Sequence, residues 1–239
     1  MHNKIEMIMD VQIFTFNLFQ EHTMLASKDG SRCVIVDPGF YSGDERERFF
    51  DTIEQKSLKP EAILLTHGHI DHVWGAAQTQ KEFGGIPVYM NDADRVELEN
   101  NVEISTRFGQ KAPEIDFKRI AANDTDIIEA AGMKFKVITT PGHSPGSVCY
   151  LEESEKVMFT GDTLFAGTIG RTDLKYGDYD NEIRSIMEKI IWLDGEIQIF
   201  PGHGGPSTIA RERMSNPFLE PFNEKEELEG LTSDELPHN

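Results

Sequence analysis

Residues 66–72 read Thr-His-Gly-His-Ile-Asp-His, and they constrain the fold of this chain more than any other stretch. Three histidines and an aspartate fall directly behind Ala62–Leu65, a short apolar run that reads as a buried strand. Val73, Ala76, Ala77 and Phe83 then recur at roughly helical spacing, so a helix is expected to begin at the motif. The polar cluster therefore belongs to a turn between strand and helix, at the mouth of a sheet. Closely spaced imidazoles and a carboxylate in such a place strand polarity unless a cation joins them. A lone histidine on a loop is ordinarily a solvated or capping residue; four donors in six positions point to metal.

The other histidines repeat the arrangement. Of the eight in the chain, His143 follows Thr140-Pro141-Gly142 and His203 follows Pro201-Gly202. Each comes after an apolar or β-branched run, Phe135–Thr139 in one case and Ile197–Phe200 in the other. Strand-end histidines on tight turns, three times along one chain, predict one convergent site.

The order HxHxDH, PGHS, then Gly161-Asp162, then PGH resembles the metallo-β-lactamase superfamily, and the match runs from residue 12 to about 218. Three further segments are similar to the compact glyoxalase II-like branch: Asp162-Thr163-Leu164-Phe165, Gly170-Arg171-Thr172-Asp173 and Asn216-Pro217-Phe218-Leu219. The resemblance implies a four-layer αββα sandwich, two mixed β-sheets flanked by helices. It implies two divalent metal ions, zinc first, with iron or manganese as alternatives. His67, His69 and His143 would hold one metal, Asp71, His72 and His203 the other, and Asp162 would bridge them. A hydroxide shared by the pair would attack the substrate carbonyl, with Asp71 mainly a ligand and secondarily steering that nucleophile. No separate serine nucleophile is required, so Ser144 is expected to be a turn residue.

The expected reaction is hydrolysis of a small thioester such as S-lactoylglutathione. Full-length glyoxalase II also carries a C-terminal helical domain that contributes to the glutathione site, and the residues after His203 are too few for it. Other esters, including lactones, are therefore alternatives. So is an iron-dependent persulfide dioxygenase, whose single iron is held by counterparts of His67, His143 and Asp162. The non-enzymatic alternative, a metal-stabilised scaffold, is expected to have lost ligands, and all seven positions are filled here.

Composition narrows the partners. The formal net charge is −19; six acidic side chains against one lysine in residues 224–239 contribute −5, leaving −14 on the body. That field opposes nucleic-acid phosphates and anionic membrane surfaces. A small-molecule substrate is expected, with no nucleic acid and no membrane as partner, and the sequence sets no oligomeric state. Residues 1–10 contain no long apolar core, which makes a cytoplasmic location the expectation. Cys33 and Cys149 sit in apolar runs without metal-site or CxxC spacing, and read as buried thiols.

One hydrolase domain over 1–223 and an acidic, disordered tail over 224–239 are expected. Strands are expected at 12–19, 22–27 and 33–37, and helices at 44–57 and 181–193. The polar region 92–125, with helical pieces, is expected to form a flap beside the site. Arg171 is a candidate to grip a substrate carboxylate, against an ion pair with Asp173 as the simpler reading. Asp37 either orients a metal-binding histidine or caps its turn.

Overall fold

The computed structural model describes residues 9–219; the expected tail, 224–239, lies outside them. The first half contains β1 (Asp10–Phe16), β2 (Glu21–Ser27), β3 (Arg32–Val36), α1 (Gly43–Gln55) and β4 (Lys59–Leu64). It continues with α2 (Ile70–Val73), α3 (Ala76–Glu82), β5 (Val88–Met90), α4 (Arg95–Arg107) and β6 (Arg119–Ala121). Its six strands pair in sequence order, β1-β2-β3 antiparallel and β3 to β6 parallel.

The second half contains β7 (Ile127–Ala130), β8 (Met133–Thr139), β9 (Val148–Glu152), β10 (Val157–Gly161), β11 (Leu164–Phe165) and β12 (Thr168–Ile169). Then come α5 (Tyr179–Ser185), β13 (Gln198–Pro201), β14 (Ser207–Thr208) and α6 (Ile209–Ser215). Its sheet runs β14-β13-β10-β9-β8-β7, with β10 and β13 parallel and the other pairs antiparallel. Strands β11 and β12 form a separate small hairpin.

Strand side chains alternate between faces, and here both faces are apolar, so each central strand feeds two cores. In β3, Val34 and Val36 enter the layer between the sheets while Cys33 and Ile35 face the helices over the first sheet. In β9, Val148 and Tyr150 point inward while Cys149 and Leu151 pack under the helices over the second. The outcome is the expected four layers, helix–sheet–sheet–helix. Both thiols are free, buried and on opposite outer faces.

Helix α1 begins with a capping box. Ser42 Oγ accepts from Glu45 N at 3.2 Å and Glu45 Oε2 accepts from Ser42 N at 2.9 Å. Phe49 and Ile53 form its buried face. Three boundaries differ from the sequence reading. The first strand stops at Phe16 because Asn17 turns the chain at φ 51°. The helix expected over 181–193 is α-helical only through Ser185 and continues as a π-turn from Ile186 to Ile190. Region 92–125 holds α4, in line with the helical pieces read there, and also the edge strand β6, which its polarity concealed. Among the described residues no helix is long and apolar enough to cross a membrane.

The parallel strands decide where chemistry can occur. Asp37 follows β3, the histidine motif follows β4, Asp162 follows β10 and His203 follows β13. These are carboxyl ends of strands, where loops open a crevice in α/β sheets. Val148 N donates to Thr66 O at 2.8 Å and His22 N donates to Gly202 O at 2.8 Å, which ties the two sheets together at that edge.

Candidate metal centre

All seven sequence-predicted residues converge. His67, His69 and His143 present ring nitrogens that all lie within 4.8 Å of one another, and the donor atoms of Asp71, His72 and His203 form a second such group. Asp162 stands between the groups: Oδ1 is 3.4 Å from His72 Nε2, and Oδ2 is 3.5 Å from both His143 Nε2 and His203 Nε2. Asp71 Oδ2 lies 3.4 Å from His203 Nε2 and 3.8 Å from His72 Nε2.

The geometry fits metal binding. His67 Nε2, His72 Nε2 and Asp162 Oδ1 are buried with no hydrogen-bond partner, a costly state for polar atoms that a cation relieves. His69 Nδ1 and His143 Nε2 approach to 2.8 Å, and two imidazole nitrogens that close need a shared proton or cation between them. The donor set is nitrogen and carboxylate oxygen only, which suits zinc, iron or manganese. A third grouping, Asp37 with His67 and His72, is of another kind, because the oxygens of Asp37 are already engaged by Thr66 N at 2.7 Å, Thr66 Oγ1 at 2.6 Å and His72 Nδ1 at 3.0 Å.

The remaining ring nitrogens are held from behind. His143 Nδ1 bonds the Arg171 carbonyl at 2.8 Å, His67 Nδ1 meets Thr66 Oγ1 at 3.1 Å, and His69 Nε2 faces Glu97 Oε1 at 3.4 Å. Such partners fix ring orientation and leave the opposite nitrogen for the metal. Of the two readings of Asp37, the structure realises the histidine contact.

Several site-supporting residues escape the sequence motifs. Asp94, fully buried at the start of α4, accepts from Gly68 N at 2.6 Å, Ser144 Oγ at 2.7 Å and Gly146 N at 2.5 Å. It thereby joins the loop of His67 and His69 to the loop of His143. Asn101 Nδ2 donates to Gly68 O at 2.9 Å. Glu182 Oε2 accepts from His143 N at 2.8 Å. The available signal was the spacing of Asp94, Glu97, Asn101 and Ser105, a polar stripe at helical intervals. Ser144 is a buried turn residue, as expected.

Close approach dictates two glycines. A Cβ at Gly202 would stand 2.4 Å from Asp162 Oδ1 and 2.5 Å from His72 Cε1; one at Gly68 would stand 2.8 Å from the Asp94 carbonyl.

Burial and mutual repulsion set the electrostatics. Burial lowers the pKa of His143 to about 4, helped by the neighbouring His69, and drives His67 well below the ordinary histidine range with His72 beside it. Burial also works against a charged His72, but Asp162 and Asp71 override it and hold that ring well above its usual value. Asp71 is buried too, yet His72 and His203 keep its carboxylate well below the normal range. Burial raises Glu182 to about 8.

Above the cluster lies a cavity of about 790 Å³ reaching from His69, Asp71, Asp162 and His203 to α4. The flap expected over 92–125 is thus in part real: Glu97, Asn101, Ile104 and Phe108 line that cavity. Arg171 also lines it, with its guanidinium paired to Asp173 at 2.8 and 2.9 Å, the simpler of its two readings.

The sequence profile of the metallo-β-lactamase superfamily matches residues 17–203. The chain belongs to the metallo-β-lactamase superfamily. It is similar to hydroxyacylglutathione hydrolase GloC of Haemophilus influenzae, 39% identical over 214 residues that cover 88% of this chain and 98% of that one. Among solved structures, BLEG-1 B3 metallo-β-lactamase matches with a TM-score of 0.81 and 34% identity, covering 88% of this chain and 99% of the other. TTHA1623 in a di-iron-bound form matches with a TM-score of 0.77 and 31% identity, covering 87% and 100%. This is a metallo-hydrolase superfamily, and the His/Asp cluster at the strand ends of the present member fits a divalent-metal site.

Proposed function

We propose that the protein is a metal-dependent thioester hydrolase of the glyoxalase II-like type, acting on a small thioester such as S-lactoylglutathione. The observation that carries this reading is Asp162, placed within 3.5 Å of histidines from both donor groups. His67, His69 and His143 would hold one ion and Asp71, His72 and His203 the other, with Asp162 available to both. When bound, a metal pair supplies an activated water near neutral pH and an electrophile for the carbonyl oxygen.

The chain's own residues do the rest. Thr66, Glu97, Asp37 and the Arg171 carbonyl engage the backs of His67, His69, His72 and His143, which orients each ring and leaves its site-facing nitrogen for the metal. Asp71 stays ionised and faces the cavity, where it also orients the attacking water. The thioester C–S bond breaks as a C–O bond forms, giving a carboxylate and a free thiol, and a thiolate departs with little acid assistance.

GloC aligns over 98% of its own length, so a relative bearing the name hydroxyacylglutathione hydrolase is as compact as this chain. That supports glutathione thioesters as the substrate class. Zinc is the first metal to test; the di-iron form of TTHA1623 makes iron the second. A dioxygenase needs a single iron, and the assembled Asp71, His72 and His203 group argues for a pair instead. A second reading, hydrolysis of a β-lactam amide on the same cluster, is favoured by the 34% identity to BLEG-1. A cytoplasmic location and a small-molecule substrate complete the proposal.

The deciding experiment is thiol release from S-lactoylglutathione by protein of measured metal content, run beside a chromogenic cephalosporin. Release that stops on chelation supports the thioesterase. Cephalosporin opening without thiol release would replace it with the lactamase reading.

A further inference from the structure

The cavity above the cluster has an apolar wall that the proposed hydrolysis does not by itself require. Phe19, from the β1–β2 turn, and Ile104 and Phe108, from the end of α4, line it together with Ile70 of the histidine motif. Ile104 and Phe108 are four residues apart and so share one helix face. Phe108 meets Phe19 edge-on at 5.1 Å between ring centroids, and Phe19 stacks on Trp74 at 6.0 Å. Phe108 remains 52% exposed at the mouth.

A large ring left half in water at a cavity mouth gains free energy when an apolar group covers it. Of the polar side chains of α4 that line the cavity, Asn101 donates to the Gly68 carbonyl, Glu97 lies 3.4 Å from His69 Nε2, and Glu103 and Arg107 pair with each other. Arg171 and Lys175 stand on the facing loop, Lys175 Nζ reaching Asn100 Oδ1 at 3.2 Å, so the polar groups of a substrate have a side of their own.

We propose that this wall is an acyl-binding surface, and that the enzyme prefers thioesters whose acyl group is an apolar chain over those with the small hydroxyacyl group. Phe108 and Ile104 are its specificity-determining residues. The proposal rests on the thioesterase reading, and its test separates the two.

Metal-loaded protein is titrated calorimetrically with S-methyl, S-butyl and S-hexyl glutathione, and with the same alkyl chains on N-acetylcysteamine. These thioethers are not hydrolysed, so binding alone is read. Affinity is expected to rise about threefold per methylene on at least one carrier. Phe108→Ala and Ile104→Ala are expected to flatten that slope, lowering hexyl affinity about tenfold while leaving methyl affinity nearly unchanged. Phe108→Leu should recover most of it. A generally damaged protein would lose affinity for all chains alike and so would not change the slope.

Equal affinity for methyl and hexyl, binding on neither carrier, or an unchanged slope in both alanine variants would overturn the acyl surface. Thiol release from the matching acyl thioesters is measured in parallel. Its absence from every thioester, with the binding slope intact, overturns the hydrolase reading and leaves the apolar-chain site standing.

Discussion

His72 Nδ1 lies 3.0 Å from Asp37 Oδ2, with both side chains fully buried. Asp37 in turn receives Thr66 N and Thr66 Oγ1, so the residue that ends β3 fixes both the backbone before the histidine motif and the ring of its last histidine. Asp37 also holds a left-handed φ of 45°, a backbone state few side chains adopt, in return for those contacts. Asp37→Ala is expected to weaken metal binding in the group of Asp71, His72 and His203 by about 10- to 100-fold. Competition with a chromogenic chelator checks this; unchanged affinity for the weaker ion would refute the role.

His143 belongs to the first donor group, its Nε2 2.8 Å from His69 Nδ1 and 3.5 Å from the shared Asp162 Oδ2. His143→Ala should abolish hydrolysis and reduce bound metal, while circular dichroism stays that of the folded protein. Full activity in the variant would remove His143 from the site.

Asp94 carries the connection between the two ligand-bearing loops. Asp94→Ala leaves the Gly68 and Gly146 amides without their acceptor and leaves the Ser144 hydroxyl with Ser147 Oγ alone. At about 1–3 kcal/mol for each buried group left unpaired, with water able to reach some of them, a loss of about 2–4 kcal/mol is expected in urea unfolding. A loss below about 1 kcal/mol would show that the loops hold without it.

Both thiols are inert by burial, which pushes Cys33 and Cys149 up to about 12 from an ordinary 9.0. The folded state therefore keeps protons that the unfolded chain loses. This contribution is full below pH 9 and is lost as pH rises toward 12. Stability should fall above pH 9 by about 1.4 kcal/mol per thiol per pH unit. Cys33→Ala/Cys149→Ala should show a shallower decline in urea midpoints between pH 9 and 10.5, and a thiol reagent should label neither cysteine in the folded protein. Equal slopes in the two proteins would contradict the burial argument.

Removal of metal should itself destabilise the fold. Chelation strips the partners from His67 Nε2, His72 Nε2 and Asp162 Oδ1 and forfeits the binding free energy linked to folding. A drop of at least several degrees in Tm, reversed by added zinc or iron, is expected.

The sequence alone determined the metal-binding vocabulary and the fold that displays it. Histidines and aspartates follow apolar runs at turns, and that pattern is local: each motif is a strand end plus a few residues. The apolar runs also revealed strands buried on both faces, because Cys33–Val36 and Val148–Leu151 contain no polar alternation. Tertiary structure decided what lies behind and above the metal residues. Asp37 is 29 positions from Thr66, Asp94 is 50 from Ser144, and Glu182 is 39 from His143. No local pattern ranks one carboxylate over another across such separations. Helix α4 was legible only as helical pieces in a polar region, because its first turns face the site with Asp94, Glu97 and Asn101, and only docking against the histidine loops gives Asp94 and Asn101 their partners. The apolar wall above the cluster comes from residues 19, 70, 104 and 108, distant stretches that meet only when the layers close.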